Sequence, residues 1–175
     1  MERVRHYMQD TRHNSRVVVW AHNSHLGDDT YTSSSHQLNL GKLVKQAYPD
    51  KSISIGQYCF SGDVTAVKNW GEREQVFRIN PANDRSFEHI FHNVTTLGQL
   101  PTFCLDLRNN ALQKKLGKQR RLQRAIGVVY RPQTELMSHY YPSDITKQFD
   151  ILVWFDNTKP LLRHPVQKFM KSVLR

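Results

Sequence analysis

The chain has 175 residues, 38% hydrophobic and 10% aromatic with three Trp, enough for one core-bearing domain and inconsistent with disorder. Its formal net charge of +10 makes it strongly basic and raises the question of an anionic partner. No apolar run reaches the ~18 residues of a membrane span, so no membrane partner is expected. The charged start Met1-Glu2-Arg3-Val4-Arg5-His6 lacks a secretory apolar core. Cys59 and Cys104 are too few for a disulfide framework, so the expectation is a cytoplasmic protein with buried, reduced thiols.

Residues 1–15 are polar and read as the end of a helix leading into the first strand. Val17-Val18-Val19-Trp20-Ala21 then puts five apolar residues in a row, three of them β-branched, the pattern of a strand buried on both faces. The run passes at once into His22-Asn23-Ser24-His25-Leu26-Gly27-Asp28. Polar groups at the carboxyl end of a strand sit where open α/β sheets bind ligands. A Ser/Thr-rich loop from Tyr31 to His36 precedes a helix whose apolar face is Leu40, Leu43, Val44 and Ala47, stopped by Pro49-Asp50. Ser52 to Phe60 predicts a second strand and Ser61-Gly62-Asp63 a turn.

Val76 to Ile79 predicts a short strand. Ser86 is placed as the N-cap of a helix carrying Phe87, Ile90, Phe91 and Val94 on one face and ending at Leu97-Gly98. Thr102 to Leu107 alternates as a strand, residues 110–123 read as a basic helix, and Ala125 to Tyr130 as a further strand. Phe149 to Phe155 is the last strand, with a closing helix over 161–174. Strands alternating with helices predict an α/β class, a mostly parallel sheet flanked by helices, in a single domain over 1–175.

The dense basic run Lys114 to Arg121 has no aromatic to stack on bases and no accompanying nucleic-acid motif, so it reads as a solvated helix face. Nucleic acid is therefore not the expected partner.

Imidazole titrates near neutrality, so a pair of histidines at a strand end can serve in general acid–base chemistry. His22 and His25 are the candidates. Residues three apart on a strand face opposite sides, so both converge only if the strand ends near His22 and His25 lies in the following turn. The alternative is one histidine fixed structurally by a backbone carbonyl. A metal held by His22, His25, Asp28 and His36 competes for the same residues, but the spacing is not that of a helical zinc motif, and no metal or other cofactor is expected. Arg131, Glu135 and His139 form a second cluster beyond the strand ending at Tyr130, with Arg131 placed to hold an anionic or carbonyl group. An Arg131–Glu135 surface pair is the equally weighted alternative. Glu88 lies by a helix N-terminus, where negative charge is favoured structurally. Asp106 and Arg108 read as a structural pair. No Gly-x-Ser-x-Gly elbow or Gly-rich phosphate loop is present.

Val18 to Asp28 (VVWAHNSHLGD), Ser86-Phe87-Glu88, Phe103 to Arg108 (FCLDLR), Ala125 to Glu135 (AIGVVYRPQTE), Ser138-His139-Tyr140 and Gln148-Phe149-Asp150 occur in an order that resembles the erythromycin esterase-like hydrolases. The resemblance implies a sheet flanked by helices and hydrolysis of a small-molecule ester or lactone, with macrolide antibiotics the namesake substrates. Members of that family are longer, and their N-terminal half carries a Gly-Glu…His-Gly type motif to which nothing in residues 1–15 corresponds. The expectation is thus the C-terminal half of a family domain, with a missing N-terminal half as partner. A non-catalytic remnant or binding subunit and a basic nucleic-acid-associated protein are the alternatives.

Overall fold

The computed structural model describes residues 16–32, 38–117 and 120–161. Along them run α1 (Asn23–Leu26), α2 (Leu40–Ala47), β1 (Ile55–Ala66), β2 (Gln75–Ile79), α3 (Phe87–Gly98) and β3 (Thr102–Asp106). There follow α4 (Asn110–Leu116), β4 (Arg121–Arg124), α5 (Glu135–Ser138), β5 (Tyr140–Ser143), α6 (Ile145–Gln148) and β6 (Ile151–Thr158). Short 3-10 turns occupy Asp29–Tyr31 and Pro132–Thr134. No described helix is long and apolar enough to cross a membrane.

The α/β class holds, but the sheet is mixed rather than mostly parallel. Its order is β2-β1-β6-β3, and only β1 and β6 run parallel, from Ile55 opposite Ile151 to Gly62 opposite Thr158. The link from β1 to β2 is too short for the crossover that a parallel neighbour needs, so β2 returns antiparallel. β4 and β5 form a separate antiparallel pair.

The core follows from α3. Ser86 caps it by accepting the His89 N–H at 3.2 Å, and Phe87 and Phe91, one turn apart, face inward. Phe91 meets Trp154 of β6 edge-on with ring centroids 5.5 Å apart. The Trp154 indole N–H donates to Thr95 Oγ1 at 2.9 Å, so the largest buried side chain leaves no polar atom unpaired. Tyr58, Leu107, Ile145, Phe149 and Leu152 complete the cluster. Each such side chain contributes roughly 1.5–3 kcal/mol on burial.

Several predicted elements differ. Val17 to Ala21 belongs to no described strand, and Val18 and Trp20 are 88% and 84% exposed. The composition favours a strand, yet a strand exists only where a neighbour supplies hydrogen bonds and cover. Ser61-Gly62-Asp63 is not a turn, because β1 continues through it, with Gly62 at φ 124° absorbing the irregularity. An added Cβ there would lie 2.3 Å from the Thr158 carbonyl oxygen. Ala125 to Tyr130 forms only an isolated bridge, Val67 with Val129. The helix expected over 110–123 stops at Leu116, and β4 begins at Arg121. α3 includes Gly98, and Gln99 takes the left-handed cap at φ 54°. β6 runs on to Thr158, past the predicted turn at Asp156. Cys104 is exposed on β3 rather than buried, while Cys59 is half-buried. Asp106 and Arg108 do pair, through two bonds of 2.7 and 2.8 Å. The readings for residues 1–15 and His36, and for the closing helix beyond Leu161, lie outside the described residues.

Candidate active site

The histidine loop is held from three sides. Asn23 behaves as a one-residue strand: its side-chain amide donates to Gln57 O at 2.6 Å and accepts from Gln57 N at 3.1 Å, on the edge of β1 that β6 does not use. Asn39 caps α2 through the Lys42 N–H and donates to the Ser24 and Gly27 carbonyls at 3.0 and 2.6 Å. Gly41 lets α2 press onto the loop, since a Cβ there would stand 2.0 Å from the Leu26 carbonyl oxygen.

His22 is the N-cap of α1, not the last residue of a strand. Its Nε2 lies 2.9 Å from the Ile126 carbonyl, so that nitrogen carries the proton. Nδ1 then accepts from the Ser24 N–H at 3.2 Å and from the Ser24 hydroxyl at 2.8 Å. Burial lowers the His22 pKa against the opposing pull of the Ile126 carbonyl, with His25 depressing it further, which favours the neutral ring. His25 is exposed, and no described group bonds its ring nitrogens. The two ring centroids are 6.4 Å apart and nearly perpendicular. The two rings are neighbours, but only His25 lines the adjoining cavity, while His22 is fixed on a backbone carbonyl.

A cavity of about 560 Å³ opens beside this loop. His25, Asn23, Asp29, Leu38, Tyr141 and Gln148 are among the residues that line it; His22, Glu88, Arg131, Glu135 and His139 are not.

The second cluster is a support for the first. His139 places Nδ1 3.1 Å from the Ala125 carbonyl and accepts the Arg131 N–H on Nε2 at 3.0 Å. Burial is the main cause lowering its pKa. Adjacent carbonyls, Ala125 and Ile126, are therefore taken by two histidines, and the Val128 carbonyl and the Tyr130 N–H bond Val67. Arg131 does not pair with Glu135; its guanidinium is exposed and reaches Asn69 Oδ1 at 3.0 Å. Glu135 is buried and bonds Arg124, Tyr130 and Asn80.

Arg124 is the residue that sequence reasoning missed. Its side chain is 3% exposed, and its guanidinium donates to Asn80 O, Glu135 Oε1, Cys59 O and Phe60 O at 2.7 to 3.1 Å. Its backbone N–H donates to Glu88 Oε1 at 2.8 Å. Glu88 is fully buried with Oε2 unpaired, and burial raises its pKa against the pull of Arg124. It anchors β4 rather than facing solvent at a helix end. Asp28 caps the following turn through the Thr30 N–H, and no three His, Cys, Asp or Glu side chains among the described residues group as a metal site.

A family model described as erythromycin esterase matches residues 1–158. Three solved structures share the fold. A succinoglycan biosynthesis protein superposes with a TM-score of 0.65 at 23% identity, over 81% of this chain and 33% of its own. A Bacillus cereus protein gives 0.67 at 23%, over 83% and 34%. A mutant of the erythromycin esterase EreC in its open conformation gives 0.54 at 12%, over 86% and 34%. The chain spans about a third of the length of each.

Proposed function

The chain belongs to the erythromycin esterase family, and from that premise we propose that it takes part in hydrolysis of an ester or lactone by histidine-assisted activation of water. His25 is the general base, receiving the proton as water attacks the acyl carbon and the alkoxide leaves as an alcohol. His22, neutral and tied to Ile126, is its positioning neighbour. His139, Arg131, Glu135 and Glu88 act at one remove, holding the 124–126 segment on which His22 rests. The observation that supports this reading is a free imidazole at the cavity wall beside a second, anchored one.

Residues 1–175 are read as one domain, the C-terminal portion of a longer family domain. An N-terminal half with a Gly-Glu…His-Gly motif supplies the remaining carboxylate and histidine. The exposure of Val18 and Trp20 supports a partner surface next to the histidine loop. Macrolide lactones, and with them a response to antibiotic, are the specific substrate reading.

The test is hydrolysis of p-nitrophenyl acetate and of a macrolide lactone, with and without a separately expressed N-terminal half. His25→Ala should lower turnover at least about a hundredfold at unchanged melting temperature. His22→Ala should lose turnover together with about 1 kcal/mol of stability, because a helix cap goes with it. Full turnover in His25→Ala refutes the assignment, and no turnover in any combination favours a non-catalytic binding subunit.

A further inference from the structure

β3 is the last strand of the four-stranded sheet, and no further strand lies on its outer edge among the described residues. The register shows which groups that edge presents. The Asp156 N–H donates to Pro101 O at 2.9 Å, and the Leu107 N–H donates to Asp150 O at 2.8 Å. Bonding alternates along an antiparallel pair, so Phe103 and Leu105 also bond inward to β6. Thr102, Cys104 and Asp106 then turn their N–H and C=O groups outward, and all three residues are exposed. Of these outward groups the Asp106 carbonyl alone has a partner among the described residues, the Asn109 N–H at 3.1 Å. No side chain covers the rest, in the way that Arg124 covers the Cys59 and Phe60 carbonyls of β1. The strand also lacks the lysine, internal proline or bulge that usually protects such an edge.

An open edge of this kind takes a strand, and this one is complementary to itself. In a two-fold pair, β3 runs antiparallel to its copy and outward groups meet only outward groups. The register that engages all three residues sets Cys104 opposite Cys104 of the second copy and Thr102 opposite Asp106. It also holds the two Asp106 carboxylates four residues, about 13 Å, apart, beyond the screening length at physiological salt. A parallel pair in register would stack them. Each Asp106 is moreover already neutralised by its own Arg108 at 2.7 Å, so a chain of net charge +10 meets its copy across a strip without net charge. We propose that a second copy of this chain docks on the outer edge of β3 as an antiparallel two-fold pair centred on Cys104, joining two four-stranded sheets into one. Such a contact closes on itself, so it stops at two copies. It is independent of the ester chemistry proposed above.

Five residues a side make a smaller contact than the roughly 20–30 of a stable interface, so a weak dimer is expected. The test follows the full chain by sedimentation velocity from about 5 μM to about 1 mM. Dimer should grow with concentration. Amide exchange of Cys104 and Asp106 should slow with it, while that of Phe103 and Leu105, already bonded to β6, stays unchanged. A short bis-maleimide should join two chains through Cys104, in the native chain and equally in Cys59→Ser. Cys104→Lys sets two ammonium groups face to face on the axis and should weaken association at least about tenfold, its fold being read by circular dichroism. If that variant unfolds, exchange and cross-linking on the native chain decide. A chain that stays monomeric throughout the range overturns the proposal. So does a dimer whose Cys104 and Asp106 amides exchange as freely as in the monomer, or one that Cys104→Lys leaves equally tight. Loss of the Cys104 cross-link on adding the separately expressed N-terminal half also overturns it, and gives the edge to that half.

Discussion

Arg124→Met tests whether one guanidinium holds the polar interior together. Methionine keeps much of the side-chain volume, so the loss is mainly one of charge and hydrogen bonds. In the native chain the group spans three segments, β1 through the Cys59 and Phe60 carbonyls, the Asn80 turn, and Glu135 at the start of α5. Its removal leaves Glu135, whose side chain is 7% exposed, with only the Tyr130 hydroxyl and the Asn80 amide. Breaking a buried ion pair from one side costs about 3–5 kcal/mol. Each orphaned carbonyl adds about 1–3 kcal/mol unless water reaches it. Water can enter at Cys59 and Phe60, which are only half-buried, so the expected loss is about 4 kcal/mol. At 2–4 °C per kcal/mol for a chain of this size, the melting temperature should fall roughly 8–16 °C. Urea unfolding followed by tryptophan fluorescence measures the loss directly. Adding Glu135→Gln to Arg124→Met should recover part of it, because the stranded negative charge is then gone. A loss below about 1 kcal/mol, or no recovery in the double variant, would refute the reasoning.

Two further outcomes follow from the same geometry. Burial pushes the Asp150 carboxyl up, but the Lys45 ammonium and the Ser54 N–H and hydroxyl outweigh it and hold the pKa below its usual 3.8. A depressed carboxyl stabilises the fold above its unfolded value and ceases to do so as pH falls through the folded one. The urea midpoint should therefore drop below pH 4, and the drop should shrink in Asp150→Asn; an equal drop in that variant would show that other groups carry it. Gly41→Ala should destabilise by about 1–3 kcal/mol, the range for overpacking, because the contact at the Leu26 carbonyl is backbone and cannot rotate away. A matching shift of the His22 and His25 ring signals is expected, and an unperturbed loop would count against the close approach.

Legibility in the sequence tracked how local each signal was. Ser86 and the Phe87/Phe91 spacing announced α3, and Leu40 to Ala47 announced α2, because caps and 3.6-residue periodicity are written within a few residues. Val17 to Ala21 and Ala125 to Tyr130 read as strands by composition, yet strand pairing depends on distant residues. In the second case the Ile126 and Ala125 carbonyls bond His22 and His139, and pairing is confined to one bridge with Val67. The polarity of the sheet was misjudged for the same reason, since strand direction follows from connections rather than from any one strand. In the site, the neighbouring imidazoles could be anticipated from the histidine loop. The second cluster could be named but not partnered: Arg124, just beyond the stretch read as a basic helix, takes the carboxylate that one of two readings gave to Arg131. Asp29 carries no motif at all. Its burial without a hydrogen-bond donor shows only in the fold.

Asn23 has an effect beyond seating the loop. By occupying both main-chain groups of Gln57, its amide plugs one rung of a sheet margin that would otherwise invite a foreign strand. The same side chain that steadies the imidazoles therefore guards the molecule against edge-to-edge aggregation, so replacing Asn23 exposes the chain to two separate failures at once.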